Sequence, residues 1–416
     1  MSDNYYNPQD GQQKKPKALR GLFFVIGLAA GLVTATAVFG LVTAMTGMLK
    51  LESGPAYVSP DRGAVSGEVI DKINEIDAMM EESFLFDMDE ADTGSGMIKG
   101  YMNSFGDPYT VYYTAEEYNE LMESMEGTFS GIGVLVQKDE ATGYLRVVRP
   151  YTNAPAYAAG IREEDLIIKA DGEDLADMDI DLAVTKIRGE EGTSVELEVY
   201  RSKTQETLQM TVVRQRIAVE TVTHRMLDNG IGYISMDSFD GVTYKQYMEA
   251  FNDLKDQGMQ ALIVDIRGNG GGLLDSVTEI LCDMLPEGVI TYTETKDGKR
   301  DFIYSTEDCA LDVPMAVLVN GYSASASEIF TGALQDYGAA VIVGTQTFGK
   351  GIVQSVISLP DGSGVKFTTS RYYTPNGVCI HGVGITPDIV VEPDPDSEED
   401  VQLQAAIDAM LEKIGE

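Results

Sequence analysis

The chain has no tryptophan, three cysteines and two histidines in 416 residues, and its 30 lysines and arginines are outnumbered by 67 aspartates and glutamates. Each scarcity excludes a class of protein. Cys282, Cys309 and Cys379 form no CxxC pair, and with His224 and His381 as the only imidazoles they lack the spacing of a zinc site, so no metal is expected. An odd cysteine count leaves room for one disulfide and argues against a disulfide scaffold. A formal charge of −37 with no basic patch repels a phosphate backbone, so nucleic acid is not a partner. The acidity reads as solubility. The composition is nevertheless 44% hydrophobic, enough for two or three domains with cores of their own.

One long run carries no charge at all, Gly21 to Leu49. At ~1.5 Å per residue it exceeds the ~30 Å hydrocarbon core of a bilayer. Lys14, Lys15, Lys17 and Arg20 precede it, so the expected topology is a single-pass cell-membrane anchor. The N-terminus then stays cytoplasmic and the bulk of the chain lies outside. A cleaved signal peptide ending near Thr43-Ala44-Met45 is the alternative. A signal h-region is only ~7–15 residues long, which favours the anchor.

The expected divisions are a tail at 1–20, a transmembrane helix at 21–49, a linker at 50–65, a helical region at 66–126, a small β-rich module at 127–215, a core at 216–395 and a terminal helix at 396–416. In the helical region Val69, Ile70, Ile73, Ile76 and Met80 recur at helical spacing. Asp107-Pro108 makes a turn, and Thr114 with Glu117 starts another helix. From 127 to 215 short apolar runs alternate with turns around one helical run near 180–188. In the core, Ala261–Ile266, Pro314–Val319 and Ala340–Val343 read as strands. Helical runs at Leu273–Leu285 and Ala326–Tyr337 separate them, an order that implies a parallel sheet. At the end, Ser397 and Asp400 pair as a cap before the stripe of Leu403, Ile407, Met410, Leu411 and Ile414.

Two short segments suit nucleophilic chemistry. In LVNGYSASASEIF (318–330) a strand turns through small residues into a helix. A serine at such a corner is presented at a helix N-terminus, where free amides and the dipole favour the negative charge of acyl transfer. The plain reading is a cap, supplied by Ser323 or Ser327. In TFGKGIVQ, Lys350 lies between Gly349 and Gly351 with apolar neighbours. Burial lowers a lysine's pKa, and a neutral amine accepts a proton from serine. If residues 350–354 are extended, Gln354 shares a face with Lys350 and orients its amine. The glycine loop DIRGNGGG after Asp265 fits neither GxGxxG nor GxxxxGK[ST], so no nucleotide is expected there. Bare amides at a helix start suit an oxyanion hole instead.

Together SASASE, TFGKGIVQ, DIRGNGGG and RYYTPNG closely resemble the carboxyl-terminal processing peptidases, PDZ-containing serine peptidases of family S41 with a Ser–Lys dyad. The resemblance covers about residues 66–392. It implies Ser325 as nucleophile, Lys350 as general base at the family's spacing, and Gln354 in support of the lysine. It implies oxyanion donors in the amide of Gly271 or Gly272 together with that of Ala326. The family's NPGG is Asn269-Gly270-Gly271-Gly272 here, so Gly270 in place of proline loosens the loop. The implied fold is α/β, a crotonase/ClpP-like parallel-stranded core with an inserted PDZ domain, an N-terminal helical region and the transmembrane anchor. No cofactor is implied.

The segment GTFSGIG (127–133) resembles the carboxylate-binding loop of the family's PDZ domain. Gly131, Ile132 and Gly133 would offer amides to a terminal carboxylate. A strand at Ile132–Val136 would add the peptide at its edge, beneath the 180–188 helix. The expected partners are proteins or peptides with exposed C-terminal tails, and a second copy of the chain through the apolar stripes of the terminal helices. A non-catalytic PDZ scaffold and a Ser–His hydrolase using His224 or His381 are the competing readings.

Overall fold

The computed structural model describes residues 65–86, 90–176, 178–305, 311–394, 396–397 and 399–415. The expected tail, anchor and all but the end of the linker lie outside the described residues, as does Cys309. Among the described residues no helix is long and apolar enough to cross a membrane.

The chain divides into two compact units at Met88 and Asp89. The first contains the helix Gly67–Ser83, capped by the Ser66 side chain, which accepts from Val69 N. The predicted stripe of Val69, Ile70, Ile73, Ile76 and Met80 is present, and none of it is buried.

In the second unit the apolar runs become a six-stranded sheet. Its strand order is Val222–Met226, Ile231–Met236, Ala261–Asp265, Met315–Val319, Val341–Gly344 and Ile389–Val390. The first pair is antiparallel and all the others are parallel. Ala261–Asp265 and Met315–Val319 are buried at every position, as strands covered on both faces must be. Helices Thr243–Asp256, Leu274–Cys282 and Ala326–Tyr337 contribute to the core on one face.

The other face is covered by the last helix, Val401–Gly415, whose Ala406 and Met410 are fully buried against Ile231, Ile263, Leu318 and Val343. Its apolar stripe is therefore sheet cover, and the expectation that it serves a second copy of the chain is corrected. Its cap is Asp400 rather than Ser397, since Leu403 N donates to Asp400 Oδ1 at 3.0 Å. Arg267 ties this end to the glycine loop. Its guanidinium bonds Asp265 and, at 2.7 Å, Asp400. Burial alone would lower the Arg267 pKa, but these carboxylates raise it.

A second sheet contains Val111–Tyr113, Gly364–Tyr373, Gly288–Thr295 and Arg300–Ser305 in order, with Ile352–Ser358 also on Gly364–Tyr373. Val111–Tyr113 interrupts the region expected to be helical. It pairs antiparallel with Gly364–Lys366, and the next helix begins only after Thr114, whose capping box with Glu117 forms. The β-branched and aromatic Val-Tyr-Tyr finds an open strand edge that local periodicity could not reveal.

Residues 134–213 form a separate β-rich module around Leu145, Val147, Ile167, Leu197 and Val199, all fully buried. Its strand Val134–Lys138 begins two residues later than expected and lies at the sheet edge. Thr128–Gly131 pairs with Gln215–Ala218, so the module enters and leaves through one two-stranded ribbon.

Candidate active site

Ser325 sits between Val319, where a central strand ends, and Ala326, where a helix begins. Its φ of 56° and ψ of −115° place a non-glycine residue in a strained region. The three serines of SASAS separate by what their hydroxyls do. Ser323 Oγ donates to Ile266 O at 2.8 Å and Ser327 Oγ to Asn269 O at 2.9 Å, and both residues are fully buried. Ser325 Oγ stands in a capping box as an acceptor facing Glu328 N, donates no hydrogen bond among the described residues and faces a cleft of about 270 Å³. Ser323 and Ser327 thus hold the corner in place and leave Ser325 unspent.

Lys350 lines the same cleft, as do Gln354 and Lys366. Its flanking glycines allow the close approach expected of them. A Cβ on Gly351 would meet His381 N at 2.6 Å, and one on Gly349 would meet Val383 N at 3.1 Å. Burial, and after it the like charge of Lys366, hold the Lys350 ammonium below the ordinary lysine value, with Asp107 opposing.

Two residues that sequence reasoning missed clamp these segments together. Glu328 is fully buried, and its Oε2 accepts from Ser325 N at 2.9 Å and from Lys350 N at 2.8 Å. Its Oε1 accepts from Gly349 N at 2.7 Å and Thr347 Oγ1 at 2.6 Å. From the other side, the Tyr372 hydroxyl lies 2.9 Å from Ser325 O and 2.8 Å from Lys350 O. One carboxylate therefore holds both amides, and one phenol holds both carbonyls. The capping signature of Ser325 with Glu328 three residues on was legible in the sequence; its reach to Lys350 was not.

Gln354 enters the cleft but does not meet the lysine. The expected alternation holds, since Lys350, Ile352, Gln354 and Val356 line one cleft and the extra residue of the register shift, Thr369, lies on the partner strand. The Gln354 amide instead bonds Ile352 O at 3.4 Å and makes no hydrogen bond to Lys350 among the described residues. The glycine loop packs against the Ser325 corner, where a Cβ on Gly271 would sit 2.8 Å from Ala324 O. The amide of Gly271 is already bonded to Asn269 Oδ1 at 2.9 Å, whereas those of Gly272 and Ala326 carry no hydrogen bond among the described residues. Of the two expected alternatives, Gly272 is the free donor. Neither histidine lines the cleft; His224 bonds Asp253 at 2.8 Å. Among the described residues no cluster could hold a metal ion.

In the β-rich module, Gly131 ends the ribbon, Ile132 is buried in the core and Gly133 turns at φ 77°. The carbonyls of Ile132 and Gly133 accept from Ala156 N and Tyr151 N, while their amides make no hydrogen bond among the described residues. Val134 and Val136 on the edge strand, and Ile180 and Val184 on helix Ile180–Ile187, are all only partly buried. Free amides at the head of an open strand beside a helix suit the capture of an extended peptide's carboxylate.

Comparison with known proteins agrees with this architecture. The description of peptidase family S41 matches residues 230–391, and that of a PDZ domain matches 146–201. The carboxyl-terminal-processing protease of Synechocystis sp. is 36% identical over 323 residues, covering 75% of this chain and 76% of that protein. The carboxy-terminal processing protease CtpA of Bacillus subtilis is 33% identical over 373 residues, covering 89% and 77%. Among solved structures, a photosystem II D1 C-terminal processing protease is 28% identical, with a TM-score of 0.46 over 82% of this chain and 90% of that one. The molecule is a PDZ-bearing serine peptidase. It belongs to the carboxyl-terminal processing proteases of family S41.

Proposed function

We propose that the protein is a membrane-anchored, extracytoplasmic endopeptidase that engages C-terminal tails through its PDZ groove and cleaves with Ser325 as nucleophile and Lys350 as general base. The observation that carries this reading is the unspent Ser325 hydroxyl, in a strained corner, in one cleft with a half-buried lysine. Lys350, in its neutral form, takes the hydroxyl proton as Ser325 attacks the peptide carbonyl. The amides of Gly272 and Ala326 receive the oxyanion, and the resulting ammonium returns its proton to the leaving amine. Gln354 reaches the amine only after its side chain leaves Ile352 O. The uncharged run 21–49 supports the anchor, and Lys14, Lys15, Lys17 and Arg20 before it support the side of the membrane.

A second copy of the chain is the proposed partner of the exposed stripe on Gly67–Ser83, because an apolar face of this kind needs cover. Occupation of the PDZ groove favours an open protease only if the tail binds that state more tightly. The test of the core reading is Ser325→Ala in the full chain. Peptide hydrolysis should vanish while circular dichroism stays unchanged; hydrolysis near wild type would remove Ser325 from the mechanism.

A further inference from the structure

Lys350 Nζ makes no hydrogen bond among the described residues, yet it has a neighbour that no local pattern anticipates. The ammonium lies 4.4 Å from the centroid of the Tyr109 ring. Tyr109 belongs to the segment Asp107–Tyr113, which precedes the PDZ module in the chain. This arm is fastened to the catalytic wall at two points. Thr368 Oγ1 donates to Asp107 Oδ2 at 2.7 Å, and Val111–Tyr113 pairs with Gly364–Lys366. The turn is also closed internally, by Thr110 Oγ1 on Asp107 Oδ2 at 2.7 Å and Tyr109 N on Asp107 Oδ1 at 3.1 Å. Burial alone would raise the Asp107 carboxyl; the threonine hydroxyls hold it below the ordinary value. The second lysine of the cleft has a ring from the same arm, with Lys366 Nζ 5.4 Å from the Tyr113 centroid.

We propose that the arm Asp107–Tyr113 is a working part of the catalytic site, and that Tyr109 is a positioning residue whose ring face seats the Lys350 amine while Tyr113 draws Lys366 aside. The proposal rests on Lys350 being the general base. The physics follows from the ring's quadrupole, whose negative face attracts a cation. The base becomes an ammonium as it takes the Ser325 proton, so the ring favours the charge that develops during attack. The same attraction makes the resting amine harder to deprotonate.

The other groups around Lys350 are accounted for. Lys366 opposes its charge from strand Gly364–Tyr373 and Asp107 favours it from the arm. Glu328, from helix Ala326–Tyr337, and Tyr372 engage its backbone. His381 packs on the Gly351 backbone, and Asp240 lines the same cleft, its carboxyl raised by burial.

The test is the pH dependence of kcat/KM for a peptide with an apolar C-terminus, using the full chain. Tyr109→Phe keeps the ring face and should leave the profile in place. Tyr109→Leu keeps the apolar contact without the quadrupole. Its acid limb should move down by ~0.5 pH unit and its plateau should fall about threefold, as a cation–π contact of ordinary strength implies. A pentafluorophenylalanine at 109 keeps the ring's shape but removes its negative face, so it should reproduce the shift even if the leucine variant folds poorly. Lys366→Met should move the limb upward. An unmoved limb in both the leucine and the fluorinated variants, with Lys366→Met shifted, would overturn the proposal and leave the base assignment standing. Full activity of Lys350→Ala would overturn the base assignment itself.

Discussion

At Ser325 the chemistry depends on what the neighbouring hydroxyls are already doing. Ser323 and Ser327 donate to the carbonyls of Ile266 and Asn269, so of the three only the Ser325 hydroxyl keeps its proton undonated. Removing such a nucleophile costs on the order of 10⁶ in rate, which sets the scale expected of Ser325→Ala. Lys350→Arg should be nearly as damaging as Lys350→Ala, because a guanidinium does not lose its proton in the working range. The lowered Lys350 pKa gives the pH dependence its sign. In the proposed mechanism the neutral amine is the active form, so activity should rise with pH through that pKa, and the rise should come below the ordinary lysine range. Rates from pH 6 to 9 on the wild type check this, and a flat profile contradicts it. Glu328→Gln replaces one acceptor oxygen by an amide that meets N–H donors. Misplacement of the two segments should lower kcat by about 10²-fold with KM little changed. The variant should also lose roughly 1–3 kcal/mol of stability from buried donors left unpaired. Steady-state kinetics and urea titration read the two effects separately.

At the scale of elements, the PDZ entrance loop and the arm before it show how turns place function. Gly133 holds φ 77°, and a Cβ there would come within 2.2 Å of Ala154 Cβ. Gly133→Val should therefore distort the loop and weaken tail binding, while leaving hydrolysis of a tailless ester near wild type. Calorimetry with a tail peptide against ester kinetics separates the two; equal loss in both would mean that the loop also supports the core. The elements themselves were unequally legible. Ala261–Ile266 and Pro314–Val319 announced themselves as wholly apolar runs, since strands covered on both faces leave no polar position. Val111–Tyr113 did not, because a three-residue strand exists only by virtue of its partner at Gly364–Lys366. The Ile352–Ser358 strand carries a register shift, which depends on cross-strand pairing. The extra residue is Thr369 on the partner strand, so the alternation of 350, 352 and 354 survives, and only the bond of Gln354 to Ile352 O departs from expectation.

For the whole molecule, the two terminal helices have opposite fates. Val401–Gly415 buries Ala406 and Met410 in the sheet, so deleting residues 401–415 should expose a core face and unfold the protease unit. Gly67–Ser83 buries nothing of its own, so a soluble chain beginning at residue 87 should keep its fold and lose self-association. Light scattering compared with the fragment starting at residue 50 gives the mass, and thermal melting reports the core. A monomeric 50–416 fragment at micromolar concentration would remove the dimer.

Local sequence was enough for the class of the fold, the strand-to-helix corner at Ser325, the glycine-flanked lysine and the glycine loop, because each rests on chain-local physics. A buried strand must be apolar, a close approach needs glycine, and a helix start offers free amides. Only the tertiary structure decided which serine hydroxyl stays unspent, which loop glycine keeps its amide, and whether a terminal stripe is covered. The same holds for the clamps of Glu328 and Tyr372 and for the arm that brings Tyr109 to Lys350. Those are hydrogen bonds and contacts between residues far apart in the chain, and no periodicity or spacing along one segment encodes what another will place beside it.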